Sequence, residues 1–155
     1  MLRRLHESIR SERSDFRFCT AALARIQTPS NGNGEARVTV ALGGHPLPIV
    51  LRKDGRVETI GEPGTLLGVL PSPSFADVDG SLEVGDSLIL YTDGVLDIAN
   101  AHKRGDPDWF KDQIAVTTGK SADQIAERLA QAAIERHGDE LRDDIAILVL
   151  HRNES

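Results

Sequence analysis

The sequence predicts an α+β fold in which an antiparallel sheet carries helices on a face. Three observations point to it. Ala36, Val38, Val40 and Leu42 alternate with Arg37, Thr39 and Ala41, the period-2 pattern of a half-buried strand. Two continuous apolar runs, 87–92 and 145–150, have the make-up of strands buried on both faces. Ser121-Ala122-Asp123-Gln124 is a capping box. It opens a helix with Ile125, Leu129, Ala132, Ala133 and Arg136 on one side and Gly138 as its stop.

The remaining elements follow in order. Leu2, Leu5 and Ile9 recur at helical spacing, so an amphipathic helix is already under way at the first residue. It has no Ser, Thr, Asp or Asn ahead of it to act as an N-cap. Residues 16–26 read as a strand with Phe16, Phe18 and Thr20 on one face and Arg17 and Cys19 on the other. A turn cluster at 28–34 returns the chain into the 36–42 strand, paired with its predecessor. Gly43-Gly44-His45-Pro46 breaks that strand, and 48–51 resumes an extended run. Lys53-Asp54-Gly55-Arg56 is a tight hairpin signal, because Asp-Gly tolerates positive φ, and 57–60 is the return strand. Residues 61–74 are loop-like. Phe75, Val78 and Leu82 mark a further extended stretch, and Gly85-Asp86 turns into the first apolar run. Pro107 suits the first position of a short helix over 107–113.

With 155 residues, the chain is sized for a single domain with one core. It carries 18 Lys and Arg against 24 Asp and Glu, a formal charge of −6, which argues against a nucleic-acid partner. No apolar run approaches the roughly 20 residues of a membrane span, and the first residues do not form an apolar signal segment. A cytoplasmic protein without membrane insertion is expected. The lone cysteine, Cys19, excludes an intrachain disulfide and any multi-cysteine metal site.

Acidic residues stand at the ends of both apolar runs. Asp93 follows Leu88-Ile89-Leu90-Tyr91-Thr92 and precedes Gly94, while Asp143 and Asp144 precede Ile145. A carboxylate at the mouth of a buried strand is costly unless compensated, and a hard divalent cation with oxygen ligands compensates it well. Turn formation explains the same residues: Asp93 could make an Asx-turn and Asp143 could cap one. An apolar strand ending in Asp-Gly-Val is also seen in aspartyl-nucleophile phosphatases. Those need an Asp two residues earlier, where this chain has Tyr91, whose phenol cannot form an acyl phosphate.

The order and spacing of several segments go further. These are Gly43-Gly44-His45-Pro46-Leu47-Pro48, the Lys53-Asp54-Gly55 turn, Leu66-Leu67-Gly68, the 82–95 segment ending in Tyr91-Thr92-Asp93-Gly94-Val95, and Asp143-Asp144-Ile145-Ala146. Together they resemble the metal-dependent PPM-type serine/threonine phosphatases, in the bacterial branch typified by stage II sporulation protein E and the sigma-factor regulatory phosphatases. The resemblance runs from about Leu2 to Arg152. It implies an antiparallel β-sandwich flanked by helices, with two Mn²⁺ or Mg²⁺ ions at one end. Asp93 and Asp143 map to metal ligands. Gly94 and Asp144 fall beside them, as metal-binding or supporting residues. The implied chemistry is hydrolysis by a water activated between two metals, with no covalent intermediate. The implied substrate is a phosphoserine or phosphothreonine of a signalling protein, such as an anti-sigma-factor antagonist.

The family's N-terminal Gly-Asp-x-x-Gly-x-Gly segment is not among these residues. Residues 1–155 are therefore expected to be one PPM-type domain lacking that segment, with little hydrolysis by this chain alone. The alternative is a catalytically inactive phosphatase fold used as a binding or regulatory module. Missing strands would leave a sheet edge open to pairing into a homodimer. Among the other candidates, His45 could touch substrate phosphate but also suits a turn before Pro46. Asp86 reads as a structural hydrogen-bond acceptor. Asp97 and Asn100 could cap a turn or meet metal-bound water. Arg3, Arg4 and Arg10 read as a solvated helix face.

Overall fold

The computed structural model describes residues 1–11, 18–29, 34–96, 107–138 and 144–153. The chain divides into two compact units, Met1–Leu47 with Ile60–Ser81, and Pro48–Thr59 with Leu82–Ser155. Each has its own antiparallel sheet, in keeping with the α+β expectation.

The first unit holds helix α1 (Leu2–Ser11) and strands β1 (Ala21–Gln27), β2 (Ala36–Gly43) and β5 (Asp77–Leu82), ordered β1-β2-β5. β1 and β2 pair from Ala21 opposite Gly43 to Gln27 opposite Arg37. Arg37 and Thr39 of β2 both hydrogen-bond the Asp79 carboxylate of β5. Leu2, Ala41 and Leu67 form one buried cluster of the unit, with Ile9, Ala21, Leu23 and Phe75 against it, and Val38, Val40 and Leu42 of β2 are buried as well.

Two expectations change here. The buried face of α1 is Leu2 and His6, and Leu5 is exposed. The cause is polar: the Gly68 N–H donates to His6 Nδ1 at 3.1 Å, and Phe75 meets the ring edge-on. The strand expected from Phe16 begins at Ala21, and Phe18 is exposed. Before that point the backbone pairs elsewhere, Cys19 exchanging two hydrogen bonds with Leu67. Phe16 lies outside the described residues. The 61–74 loop can pass so close to β2 only because Gly64 has no side chain. A Cβ there would collide with the Leu42 carbonyl.

The second unit holds β3 (Ile49–Leu51), β4 (Val57–Thr59), β6 (Ser87–Tyr91), β7 (Ile147–His151), α2 (Pro107–Ala115) and α3 (Ala122–His137). The sheet order is β4-β3-β6-β7, every neighbour antiparallel. The Asp-Gly hairpin forms as expected, with Gly55 at φ 89 and its N–H donating to the Arg52 carbonyl. The capping box also forms, with reciprocal bonds of 3.3 and 3.1 Å between Ser121 and Gln124. One core joins Ile49, Leu51, Ile89 and Tyr91 to Phe110, Ile114, Ile125 and Leu129. Arg136 does not join the buried side of α3; it is exposed and lies over the Trp109 ring, 4.3 Å from its centroid. β7 is also not buried on both faces, since Leu148 is 56% exposed. Among the described residues it pairs with β6 alone, as the last strand of its sheet.

At the foot of β6, Asp86 is 1% exposed. It accepts hydrogen bonds from the Glu83 and Lys53 N–H groups and from Arg52 Nη1, each at 2.9 Å. Arg52 also grips Glu58 on β4 through two nitrogens. Burial alone would raise the Asp86 pKa. The donors from Glu83, Arg52 and Lys53 outweigh it and hold the carboxyl below its ordinary value. With the folded pKa depressed, this contribution is complete above the unfolded value of about 3.9 and lost as pH falls through the folded one. Asp86→Asn should destabilise the protein by about 2–3 kcal/mol at neutral pH. Urea titrations should also show a smaller loss of stability below about pH 4 than in the parent protein.

Candidate functional site

The site expected from the sequence lies at the other end of β6. β6 pairs with β7 as far as Tyr91 opposite Ile147. One residue on, the Thr92 N–H donates to the Ala146 carbonyl at 3.0 Å. The Thr92 hydroxyl donates to the Asp144 carbonyl at 2.8 Å and accepts the Ala146 N–H at 2.9 Å. A single side chain thus fastens the Tyr-Thr-Asp-Gly segment to the Asp-Asp-Ile-Ala segment, although more than 50 positions separate them. This role of Thr92 was not read from the sequence. Its only advance signal was that a residue with both donor and acceptor capacity sits between the apolar run and Asp93.

Asp93 opens a 3₁₀ turn, Asp93–Leu96, in which Gly94, Val95 and Leu96 are buried. The turn is set by the Val95 N–H donating to the Thr92 carbonyl at 3.1 Å. The Asp93 side chain is exposed and has no hydrogen-bond partner among the described residues. The expected Asx-turn is thus not what occupies its carboxylate. Asp144 is exposed too, on the segment held by Thr92. Asp143, Asp97 and Asn100 lie outside the described residues. Tyr91, in the position where an aspartyl-nucleophile enzyme has its nucleophile, is buried with its ring 4.7 Å from that of Phe110. Burial pushes its hydroxyl pKa up.

His45 belongs to the first unit, whereas Asp93 and Asp144 belong to the second. Its Nδ1 donates to the Pro46 carbonyl at 2.9 Å, as a turn histidine does. Among the described residues, no group of three or more His, Cys, Asp or Glu is placed to hold a metal ion. The described donors near the Thr92 bridge, Asp93 and Asp144, are all oxygen, the chemistry that suits Mn²⁺ or Mg²⁺.

The fold is that of the PP2C-type phosphatases. The phosphatase domain of SpoIIE from Bacillus subtilis, in crystals presoaked with Mn, superimposes with a TM-score of 0.67 at 16% identity. That match covers 98% of this chain and 72% of that one. A structure of the same Bacillus subtilis phosphatase domain with a fragment of its regulatory domain gives a TM-score of 0.77 at 18% identity, covering 97% of this chain and 42% of that one. RsbX in complex with magnesium gives 0.62 at 16% identity, over 94% of this chain and 60% of that one. No curated protein sequence matches the chain significantly. The family model for stage II sporulation protein E (SpoIIE) matches residues 1–153, and the chain belongs to that family.

Replacing Thr92 with Val keeps the shape and removes both hydroxyl bonds, leaving the Ala146 N–H without its acceptor. Thr92→Val should cost about 1–3 kcal/mol of stability, measured by denaturant titration. Amide exchange should quicken at Ala146 before it quickens in the middle of β6.

Proposed function

We propose that this chain serves a metal-dependent protein serine/threonine phosphatase that removes phosphate from phosphoserine or phosphothreonine on a signalling protein, an anti-sigma-factor antagonist being the candidate substrate. The observation that carries the reading is the Thr92 bridge. It draws the two acidic segments of the second unit together and leaves the Asp93 carboxylate exposed and without a partner among the described residues. The continuous family match over 1–153 supports treating both units as one phosphatase domain. The Mn-presoaked and magnesium-bound relatives support a cation of the same class.

Asp93 and Asp143 would hold the cations, with Gly94 and Asp144 beside them and His45 as a weaker candidate for touching substrate. When bound, such a pair of cations supplies Lewis acidity at the phosphoryl group and lowers the pKa of a water. This chain's residues do the positioning. Thr92 fixes the direction in which Asp93 leaves the sheet, and the buried Gly94-Val95-Leu96 turn keeps that carboxylate from following the chain inward. No side chain is assigned as a nucleophile: Tyr91 is committed to the core, and Cys19 stands in the first unit.

Residues 1–155 alone should hydrolyse an aryl phosphate slowly or not at all with Mn²⁺. A polypeptide that also carries a Gly-Asp-x-x-Gly-x-Gly segment ahead of them should be active on it and on a phosphoserine peptide. In that polypeptide Asp93→Asn and Asp143→Asn should each lower turnover by at least about 100-fold, the scale of losing a metal ligand. Unchanged turnover in both variants would overturn the site assignment. An extended polypeptide inert with both Mn²⁺ and Mg²⁺ would favour the inactive binding module instead.

Pairing between copies is proposed at β7, whose outer edge has no neighbour in its sheet among the described residues and whose Leu148 is exposed. Light scattering should then report a dimer that Leu148→Lys weakens, and a strict monomer in the parent protein sinks that idea.

A further inference from the structure

The first unit contains a cleft of about 430 Å³ between α1 and the 71–73 segment. We propose that it is an oxyanion site for phosphate or a phosphomonoester. The proposal does not depend on the metal-site reading above. Arg3 and Arg10 both line the cleft, two helical turns apart on one face of α1, with His6 between them. Arg3 has no partner among the described residues, and Arg10 spends one nitrogen on a 3.3 Å bond to the Leu70 carbonyl. The guanidinium donors left over are the groups that suit the oxygens of a phosphate.

The second, independent observation is His6, which also lines the cleft and is 1% exposed. Its Nδ1 accepts the Gly68 N–H, so that nitrogen carries no proton and a neutral ring must carry its proton on Nε2. Nε2 is buried and has no hydrogen-bond partner. A buried donor left unmade is costly; Nε2 is closed off even to water, so a small shift of the ring toward the cleft is part of the proposal, and an oxyanion there would supply the acceptor. The opposite wall is held in shape by the Thr65 N–H donating to the Ser74 carbonyl and the Ser74 N–H donating to Thr65 Oγ1. Among the described residues, Glu7 is the one carboxylate in the cleft lining. It leaves the charge positive against two arginines, and it can accept the proton of a singly protonated phosphate or a peptide N–H beside the phosphorylated residue. The volume lies in the range of small-molecule sites and exceeds what a bare phosphate fills, which favours a phosphomonoester.

The test uses residues 1–155 in EDTA at constant ionic strength, so that no metal-held phosphate contributes. Inorganic phosphate and O-phosphoserine are titrated separately while imidazole nitrogen and backbone amide NMR signals are followed. A saturable shift of the His6 Nε2 and Gly68 amide signals is expected, with half-saturation on the order of 1 mM. Arg3→Gln should weaken binding by about 5- to 10-fold, and the Arg3→Gln, Arg10→Gln double variant should abolish it. These side chains are exposed, so the fold should survive their replacement, whereas His6→Gln disturbs the bond from the Gly68 N–H. Tighter binding of phosphoserine assigns the cleft to phosphorylated protein, and equal binding assigns it to the free anion. Shifts that never saturate, or an unchanged half-saturation point in the double variant, would overturn the proposal.

Discussion

The Asp86 carboxylate is the interaction on which the second unit depends. It is nearly inaccessible, yet every donor around it is matched. The Glu83 and Lys53 amides and the Arg52 guanidinium all point at it. Its own carbonyl accepts the Arg152 N–H, which brings in the end of β7. Asp86 therefore clamps the β3–β4 hairpin, the turn before β6 and the last strand at one point. In a sheet, a slip of one residue turns every side chain to the opposite face, so a clamp at the start of β6 decides where everything further along it points. Six residues on, about 20 Å away at the usual rise, that decision places the Thr92 hydroxyl over the 144–146 segment.

What could be read in advance divides along the same line. The hairpin, the capping box and the Asp86 acceptor were legible because each is settled by residues close in sequence: Asp-Gly in a turn, Ser and Gln three apart, Asp beside Gly85. The misread features were decided by distant partners. Leu5 gave way to His6 because an amide 62 residues later needed an acceptor. The 145–150 run resembled a doubly buried strand because hydropathy cannot tell a central strand from one at the border of its sheet. Phe18 fits the alternation of a longer strand because the Cys19 pairing with Leu67 leaves no trace in local alternation.

The candidate site was legible in its acids and not in its architecture. Asp93 and Asp144 stand out because a charge next to an apolar run asks for an explanation. Thr92 does not, because a threonine ending a strand is ordinary by propensity. Yet the threonine is what makes the two acidic motifs a single structural feature. Its hydroxyl both donates and accepts, so the two segments are joined side chain to backbone, without a second polar side chain that would compete with the carboxylates for a ligand.

Asp86 and Asp93 flank the same strand and carry the same functional group, and their surroundings differ in every respect. Asp86 is buried and ionised, with three donors on its two oxygens, so a cation has no open path to the one lone-pair site left and a proton would weaken the bonds already made. Asp93 is exposed and without partners among the described residues, although the turn that carries it is anchored by three buried residues. An unpartnered carboxylate on a mobile tail would need no account, because water serves it well. An unpartnered carboxylate on rigid backbone has had its entropy removed beforehand, and a ligand that binds it has less ordering left to supply. That asymmetry separates a carboxylate that builds the fold from one the fold presents, and it is the physical reason to seek the cation at Asp93 and not at the buried Asp86.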